Sequence, residues 1–412
     1  MNRLNVSLLF MFVACAAIAQ KEYKPLRTYI KNGGNLNQSM QVVQQLEKDV
    51  DFKDDPELYY LAALCQRKAN DVENMKVYLR QPYDTVSFFN TTYGMFDYIL
   101  KCDVKDSLPK ANGKIKVRYR FKGYDMLKNY YPNIYNAGIF FTRKKDYANG
   151  AKFWSLYIDA AKTNVFAKDS LWKNDPKMPR AAFWYMQCAF EQKDYKNVFR
   201  YSDLAGRDTA NTDLYLQYRS VSYARMGDSL MYEKELLRAM RIDPDEMFFF
   251  SNLADYYNET RQYEKSIRMI DSVLLVNPNN ILIRFAKAIV LYNMKDYGEC
   301  ITLSKKVMAE DTTNVDAYFY VGGSYFNQAV DVEEKITSNI NSRDFAVKKR
   351  QVTDLYKKAM PYLEKYRVLR AEDKDRWAPM LYRIYLSLNM EKKFTEIENI
   401  LVQSSAKEKT KK

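Results

Sequence analysis

The sequence contains no histidine among its 412 residues. Histidine is the most common general acid–base in enzymes and the most common metal ligand. Its absence excludes Ser-His-Asp and Cys-His catalysis as well as the HExxH zinc motif. The sequence also has no glycine-rich phosphate-binding loop and no Cys-x-x-Cys motif. We therefore expect a protein that is not an enzyme and that holds no cofactor and no metal.

Glycine and proline are scarce, at 12 and 11 residues, whereas tyrosine and phenylalanine number 35 and 22. Disordered chains lack aromatic residues, and alternating β-α folds generally use more glycine at their turns. This composition indicates a helical array with large interlocking side chains. Paired carboxylates such as Asp54-Asp55 and Glu333-Glu334 lie in links or on charged helix faces, with no apolar pocket predicted around them. They give little support to a glycosidase.

Long hydrophobic runs are also lacking, because the only marked one covers residues 8–14 and is too short to span a bilayer. Together with Arg3 and with Ala17-Ile18-Ala19 before Gln20, this run predicts a secretory signal peptide over residues 1–19. The alternative is a bacterial lipoprotein signal ending at Cys15. We expect the mature chain in the periplasm or elsewhere in the cell envelope.

Four cysteines follow the predicted signal, and their spacing matches no disulfide framework. We interpret them as isolated core thiols, with the disulfide state left open. They are Cys65, Cys102, Cys188 and Cys300.

The formal net charge is +14, with acidic residues interspersed through most of the chain. This pattern indicates a mixed-charge surface with a basic bias. The densest basic run, residues 114–122, alternates basic and apolar side chains, which is a strand pattern. In an all-helical chain we favour a helix through Val117 and Phe121. We interpret its basic face as solvated, with an acidic partner or an anionic polymer as the alternative.

A pattern recurs every 34 residues between about 211 and 330, as the pairs Pro244/Pro278 and Tyr263/Tyr297 show. Within residues 247–280, apolar side chains at helical spacing mark two amphipathic helices. Pro278 ends the second helix, and Asn280 supplies a cap for the next one. A unit of this size is one helix–turn–helix, which buries its apolar face only by stacking on its neighbours.

This register resembles the tetratricopeptide repeat family, in an exported bacterial type. The family's small residue at position 8 is present in four successive units, as Ser220, Ala254, Ala288 and Gly322. The tryptophan that the family often has at position 4 is absent, so the repeats are divergent. The resemblance implies an all-α fold, a right-handed superhelix or α-solenoid of helix-turn-helix repeats.

We predict five segments along the chain. They are the signal peptide over 1–19, divergent helical repeats over 20–129, tetratricopeptide repeats over 130–330, an extended helical hairpin with capping helices over 331–404, and a basic tail over 405–412.

The resemblance implies that the first helix of each unit lines a concave face where partners bind. From the register, this predicted concave face consists of Phe183, Phe190, Gln217, Phe248, Asn258, Phe285, Tyr292, Asn293, Phe319, Phe326 and Asn327. Aromatic rings beside asparagine amides suit an extended peptide, since rings hold side chains and amides bond the backbone. Stacking on sugar rings is one alternative, and packing of the rings against neighbouring helices is another. The Lys/Asn carboxylate clamp of some family members is absent, which argues against recognition of chaperone tails.

We therefore interpret the chain as an exported scaffold that binds a peptide segment or a partner subunit, a protein of the cell envelope. The alternative is a carbohydrate-binding accessory protein of the envelope. We expect no nucleic acid, no small-molecule substrate and no transmembrane span, and we leave peripheral membrane association open. Triplets such as Asp106-Ser107-Leu108 resemble an O-glycosylation acceptor, but we favour helix capping for them.

Overall fold

The structure is a computed structural model that describes residues 21–109, 113, 115–244, 246–336 and 343–409, with side chains described as far as residue 402. The predicted signal peptide and Cys15 lie outside the described residues. So does the end of the predicted basic tail.

The described residues form twenty α-helices and no β-strand. Three short 3-10 turns, at Ala167–Asp169, Asn197–Phe199 and Thr209–Asn211, interrupt the helical order. In chain order the helices are α1 Lys24–Asn32, α2 Leu36–Leu46, α3 Pro56–Tyr78, α4 Thr85–Asp106, α5 Arg120–Leu127, α6 Tyr131–Arg143, α7 Tyr147–Ala160, α8 Leu171–Asn174, α9 Met178–Glu191, α10 Ser202–Ala205, α11 Thr212–Arg225, α12 Ser229–Ile242, α13 Met247–Glu259, α14 Tyr263–Val276, α15 Ile281–Asn293, α16 Tyr297–Glu310, α17 Val315–Glu333, α18 Arg343–Leu369, α19 Lys374–Ser387 and α20 Glu391–Lys409.

The chain divides into two compact units, and the boundary between Glu235 and Leu236 falls inside α12. We call them the N-terminal unit and the C-terminal unit. Within each unit, helices that follow one another in sequence pack together, as α6 does on α7 and α15 does on α16. The finer division into five segments stays a prediction.

The helix starts repeat at the interval that the sequence predicts. The first helices α13, α15 and α17 begin at residues 247, 281 and 315, and the second helices α14 and α16 begin at 263 and 297. Each interval is 34 residues. Consecutive helix pairs at this spacing confirm the predicted all-α, tetratricopeptide-like fold.

The first helices α15 and α17 begin at asparagine caps that lie one repeat apart. The side-chain oxygen of Asn280 accepts a hydrogen bond from the backbone N–H of Ile283 at 3.1 Å. The side chain of Asn314, one repeat later, accepts from the N–H of Ala317 at 3.1 Å. Because the first turn of a helix has N–H groups without helical partners, these caps define where α15 and α17 start. The capping role predicted for Asn280 is confirmed.

Three consecutive hairpin turns contain a left-handed residue two positions before the second helix. The residue is Gly227 (φ 76°) before α12, Arg261 (φ 56°) before α14 and Lys295 (φ 64°) before α16. The next N–H then donates to the carbonyl five residues earlier, as Gln262 does to Tyr257 at 2.7 Å. This pattern ends a helix sharply and reverses the chain. Only at residue 227 does glycine remove the cost of the left-handed conformation.

The extended hairpin predicted after residue 331 is formed by the long helices α17 and α18, which pack closely. Tyr356, Ala359 and Leu363 of α18 are fully buried, and Leu355 is partly buried against the same core. Gly322 permits the close approach, because a Cβ atom there would lie 2.7 Å from Cγ of Leu363.

The basic run at 114–122 differs from the prediction. Residues 115–118 are not helical, and α5 begins at Arg120. The carboxylate of Asp106 accepts from the backbone N–H groups of Arg118 and Tyr119, the latter at 2.7 Å. The predicted helix is therefore wrong before Arg120, because a buried side chain bonds these N–H groups outside a helix. Lys114 lies outside the described residues.

Candidate functional site

The residues of the predicted concave face all lie on first helices. Phe183 and Phe190 are on α9 and Gln217 is on α11, in the N-terminal unit. In the C-terminal unit, α13 carries Phe248 and Asn258, α15 carries Phe285, Tyr292 and Asn293, and α17 carries Phe319, Phe326 and Asn327. Their role in binding stays a prediction, and their exposure differs.

Three of these rings are buried and cannot contact a partner from the surface. Phe183 is 1% exposed, Phe319 6% and Phe326 9%. The ring centroid of Phe319 lies 5.4 Å from that of Tyr366, and the centroid of Phe326 lies 5.7 Å from that of Tyr356. The prediction that these rings line an open face is wrong, because α18 covers the last two. They belong to the core.

A row of side-chain amides lies on the first helices of the C-terminal unit. We call Asn258, Asn293 and Asn327 the amide column, since they occupy nearly equivalent positions on α13, α15 and α17. All three are half-buried. Nδ2 of Asn293 donates to Oδ1 of Asn258 at 2.6 Å, and Nδ2 of Asn327 donates to the hydroxyl of Tyr292 at 2.9 Å. The column is therefore ordered by its own hydrogen bonds.

The amide column retains unused hydrogen-bonding groups. Nδ2 of Asn258 and Oδ1 of Asn293 have no hydrogen-bond partner among the described residues, and neither atom is fully enclosed. One is a donor and the other an acceptor. Together they provide one hydrogen-bond donor and one acceptor, which can pair with the C=O and N–H groups of a peptide backbone.

The hydroxyl of Tyr292 anchors the middle of this face. Its ring packs edge-on against Tyr320 at 5.3 Å and against Tyr297 at 5.8 Å. Burial raises the pKa of Tyr292 to about 12, because the phenolate would lose its hydration. The hydroxyl therefore stays protonated at neutral pH. It accepts from Asn327 and keeps a proton to donate.

Two partly exposed aromatic side chains lie on the same helices as the amide column, about two to three turns before its amides. Phe285 is half-buried, and its ring contacts the edge of Tyr320 at a centroid distance of 5.6 Å. Phe248, at the start of α13, is also half-buried and packs edge-on against Phe249 at 5.4 Å. Partly exposed rings next to amides provide apolar contact beside hydrogen bonds.

The N-terminal unit has a groove between α6 and α9 that sequence reasoning missed. It encloses about 220 Å³ and is lined by Tyr135, Ile139, Arg143, Arg180 and Trp184, among others. The guanidinium of Arg180 is paired with the carboxylate of Asp208. The signal in the sequence was the i, i+4, i+8 spacing of residues 135, 139 and 143, which share one face of a first helix.

The other predicted members in the N-terminal unit contribute packing. Phe190 is half-buried, and its ring lies 4.6 Å from the ring of Tyr218. Gln217 is half-buried on α11. Trp184, the neighbour of the buried Phe183, is the ring that reaches the groove. The role of Phe190 and Gln217 in binding stays a prediction.

The described residues offer little for metal or thiol chemistry. Across the described ranges, no three His, Cys, Asp or Glu side chains come together as a metal site. Cys65, Cys102, Cys188 and Cys300 are free and buried, as the sequence indicated. Burial raises the pKa of the Cys188 thiol to about 11. No helix in the described part of the chain is long and apolar enough to cross a membrane.

Comparison with known proteins finds similarity only among solved structures. No family model matches the chain, and no curated protein matches it. A tetratricopeptide repeat protein from Bacteroides fragilis is 20% identical over 61% of this chain and 97% of its own, with a TM-score of 0.31. Another from Parabacteroides merdae is 13% identical over 66% of this chain and 99% of its own, with a TM-score of 0.34. Because these scores are low, the fold assignment rests on the helix pairs and their 34-residue spacing.

Proposed function

We propose that this chain is a protein-interaction scaffold that binds an extended peptide segment of a partner across the first helices of its C-terminal unit. The observation that carries the proposal is the amide column of Asn258, Asn293 and Asn327. Half-buried amides recur there about one repeat apart, are ordered by their own hydrogen bonds, and keep a free donor and a free acceptor.

An extended peptide satisfies this surface better than a compact ligand does. Its backbone presents alternating donors and acceptors, which the free amide groups can bond. Its side chains can contact the partly exposed rings of Phe248 and Phe285. The buried rings of Phe319 and Phe326 contribute indirectly, since they pack α17, which carries Asn327, against α18.

The signal-like residues 1–19 support a location in the cell envelope, where the partner would be found. The basic net charge would favour partners with acidic surfaces. Both points belong to the proposal.

The first test is site-specific photo-crosslinking in envelope extracts. A benzoyl-phenylalanine in place of Phe285 keeps an aromatic ring on α15, the first helix that also carries Asn293. The matched control places the same group at Lys306, an exposed residue of the second helix α16. We expect one reproducible peptide segment to be crosslinked from position 285 and not from position 306. Equal crosslinking from both positions would contradict a binding face on the first helices.

The second test uses the captured segment as a ligand. Asn258→Ala combined with Asn293→Ala should weaken its binding at least tenfold, since each lost hydrogen bond contributes about 1 kcal/mol. The helical circular dichroism should be unchanged, and Lys306→Ala should bind as the wild type does. Unchanged affinity in the double variant would refute the proposal. Recovery of glycan in place of a peptide would favour the carbohydrate alternative.

A further inference from the structure

A second cavity, of about 570 Å³, lies within the C-terminal unit at the other end of its hairpins. The ends of α12 and α14 and the starts of α13 and α15 form its wall. The wall is mainly apolar and includes Met240, Met247, Met269, Val276 and Leu282. Both the volume and the apolar lining are typical of sites for small ligands. None of the amide column lines it.

The mouth of the cavity exposes apolar side chains to water. Val276 is 83% exposed and Leu282 is 63% exposed, and both line the cavity. Side chains that border both solvent and an apolar cavity gain if a ligand covers them. Leu275 is 86% exposed but does not line the cavity, so it serves as a control position.

The lining of the cavity also contains one positively charged side chain. Arg241 is the only charged residue among the described residues of the lining, and it forms no ion pair with any of them. Its Nε donates to the carbonyl of Leu237 at 3.2 Å, which leaves the terminal guanidinium nitrogens for another acceptor. The side-chain oxygen of Asn280 is already used to cap α15. The cavity therefore combines apolar walls with one positive charge that has no ion-pair partner among the described residues.

We propose that this cavity binds a single-chain amphipathic carboxylate, with the alkyl chain against the methionine-lined wall and the carboxylate on Arg241. Three methionines suit a flexible alkyl chain, because their side chains adapt to irregular shapes. The guanidinium bonds a carboxylate through two parallel N–H groups. A cationic or neutral head would leave this charge without a partner. The site is separate from the amide column and goes beyond the proposed function.

The test is calorimetric titration of the delipidated full chain with three ligands that share one alkyl chain and differ in the head group. They are dodecanoate, dodecanol and dodecyltrimethylammonium, each kept below its micellar concentration. We expect saturable binding of one dodecanoate per chain, about tenfold weaker binding of dodecanol, and still weaker binding of the cation. Absent dodecanoate binding, or equal binding of all three, would overturn the proposal.

Substitutions at exposed positions locate the ligand without threatening the fold. Arg241→Gln should weaken dodecanoate about tenfold and leave dodecanol unchanged, since it removes one charge-assisted contact. Val276→Asp should weaken dodecanoate at least tenfold, whereas the matched control Leu275→Asp should not change it. Equal effects of the two aspartate variants would overturn the proposal. Binding of a hydrophobic peptide in this cavity, without any binding of dodecanoate, would also overturn the proposal. The natural occupant would then be a protein segment.

Discussion

The hairpins α13/α14 and α15/α16 share the same 34-residue pattern, yet they are packed to different degrees. At the small position of the first helix, Ala288 is fully buried whereas Ala254 is only partly buried. At the aromatic position that opens the second helix, Tyr297 is buried whereas Tyr263 is partly exposed. The helices α15 and α16 also approach each other more closely than α13 and α14 do.

The neighbours explain the difference. The helix α17 packs closely on α16, and the Cys300 thiol lies 3.9 Å from the carbonyl of Tyr320. The hairpin α13/α14 instead borders the cavity of about 570 Å³. The periodic pattern therefore determines that a hairpin forms, while the side chains of adjacent hairpins determine how deeply it is buried. The cavity of the further inference lies where this packing is looser.

Substituting a larger residue at the small position of the first helix should give the largest difference in stability between the two hairpins. We expect Ala288→Leu to lower the free energy of unfolding by about 1–3 kcal/mol, because a fully packed site has no room for added carbons. The matched Ala254→Leu should change it by less than about 0.5 kcal/mol. Urea denaturation of both variants measures the contrast. Equal losses would show that the two hairpins are packed alike.

The rates of thiol alkylation on α14 and α16 should give the next largest difference between the two hairpins. Ser266 stands one repeat before Cys300 and is also fully buried, although its hydroxyl has no described partner. We expect the thiol introduced by Ser266→Cys to react with iodoacetamide about tenfold faster than Cys300, because α14 opens locally at lower cost. Peptide mass spectrometry of partly alkylated protein measures both rates. Slower or equal reaction at residue 266 would contradict the looser packing of α14.

The pH dependence of the alkylation of Cys300 follows from the raised pKa of its thiol. Burial raises the pKa of the Cys300 thiol above its ordinary value. The unfolded thiol has a pKa of about 8.5, and the folded protein keeps this thiol protonated to higher pH. The resulting contribution to stability is complete below about pH 8.5 and is lost as the pH rises from there through the pKa of the folded state. Alkylation of Cys300 should therefore be slower than that of an ordinary thiol at pH 8, and its rate should keep rising with pH above about 8.5, where the rate of an ordinary thiol levels off. A rate that levels off at about pH 8.5 would indicate an exposed thiolate.

Substitutions in the hairpin turns should give the smallest differences in stability. Gly227→Ala should cost about 1 kcal/mol, because alanine disfavours the left-handed conformation and a Cβ atom there meets no other group. Lys295→Gly should stabilise by less than this, since the relief of strain is offset by the entropy of the unfolded glycine. Thermal denaturation measures both. A stabilising Gly227→Ala would contradict the assignment of these turns.

Much of the fold could be predicted from periodicity. The spacing of the prolines, tyrosines and small residues located the helix starts, and Asn280 was correctly assigned as a cap because capping depends on neighbouring residues alone. The run at 115–118 was mispredicted because the carboxylate of Asp106, distant in sequence, accepts from its backbone. Local patterns do not contain such contacts.

The candidate site was predicted less completely. The register placed each chosen residue on a first helix, but it could not show that α18 buries Phe319 and Phe326. Trp184 and the groove beside it were missed because the groove is formed by side chains of two helices, α6 and α9, that are distant in sequence. The larger cavity was missed because its wall comes from four helices, and its shape depends on imperfect packing between them.

The most direct test of the binding face is hydrogen exchange of the full chain, measured by mass spectrometry with and without the crosslinked peptide segment. We predict that the segment slows exchange in the first helices α13, α15 and α17, with the strongest protection around Asn258 and Asn293. The second helices α14 and α16 should change little. Protection confined to α14 and α16, or no protection at all, would contradict a scaffold that binds through its amide column.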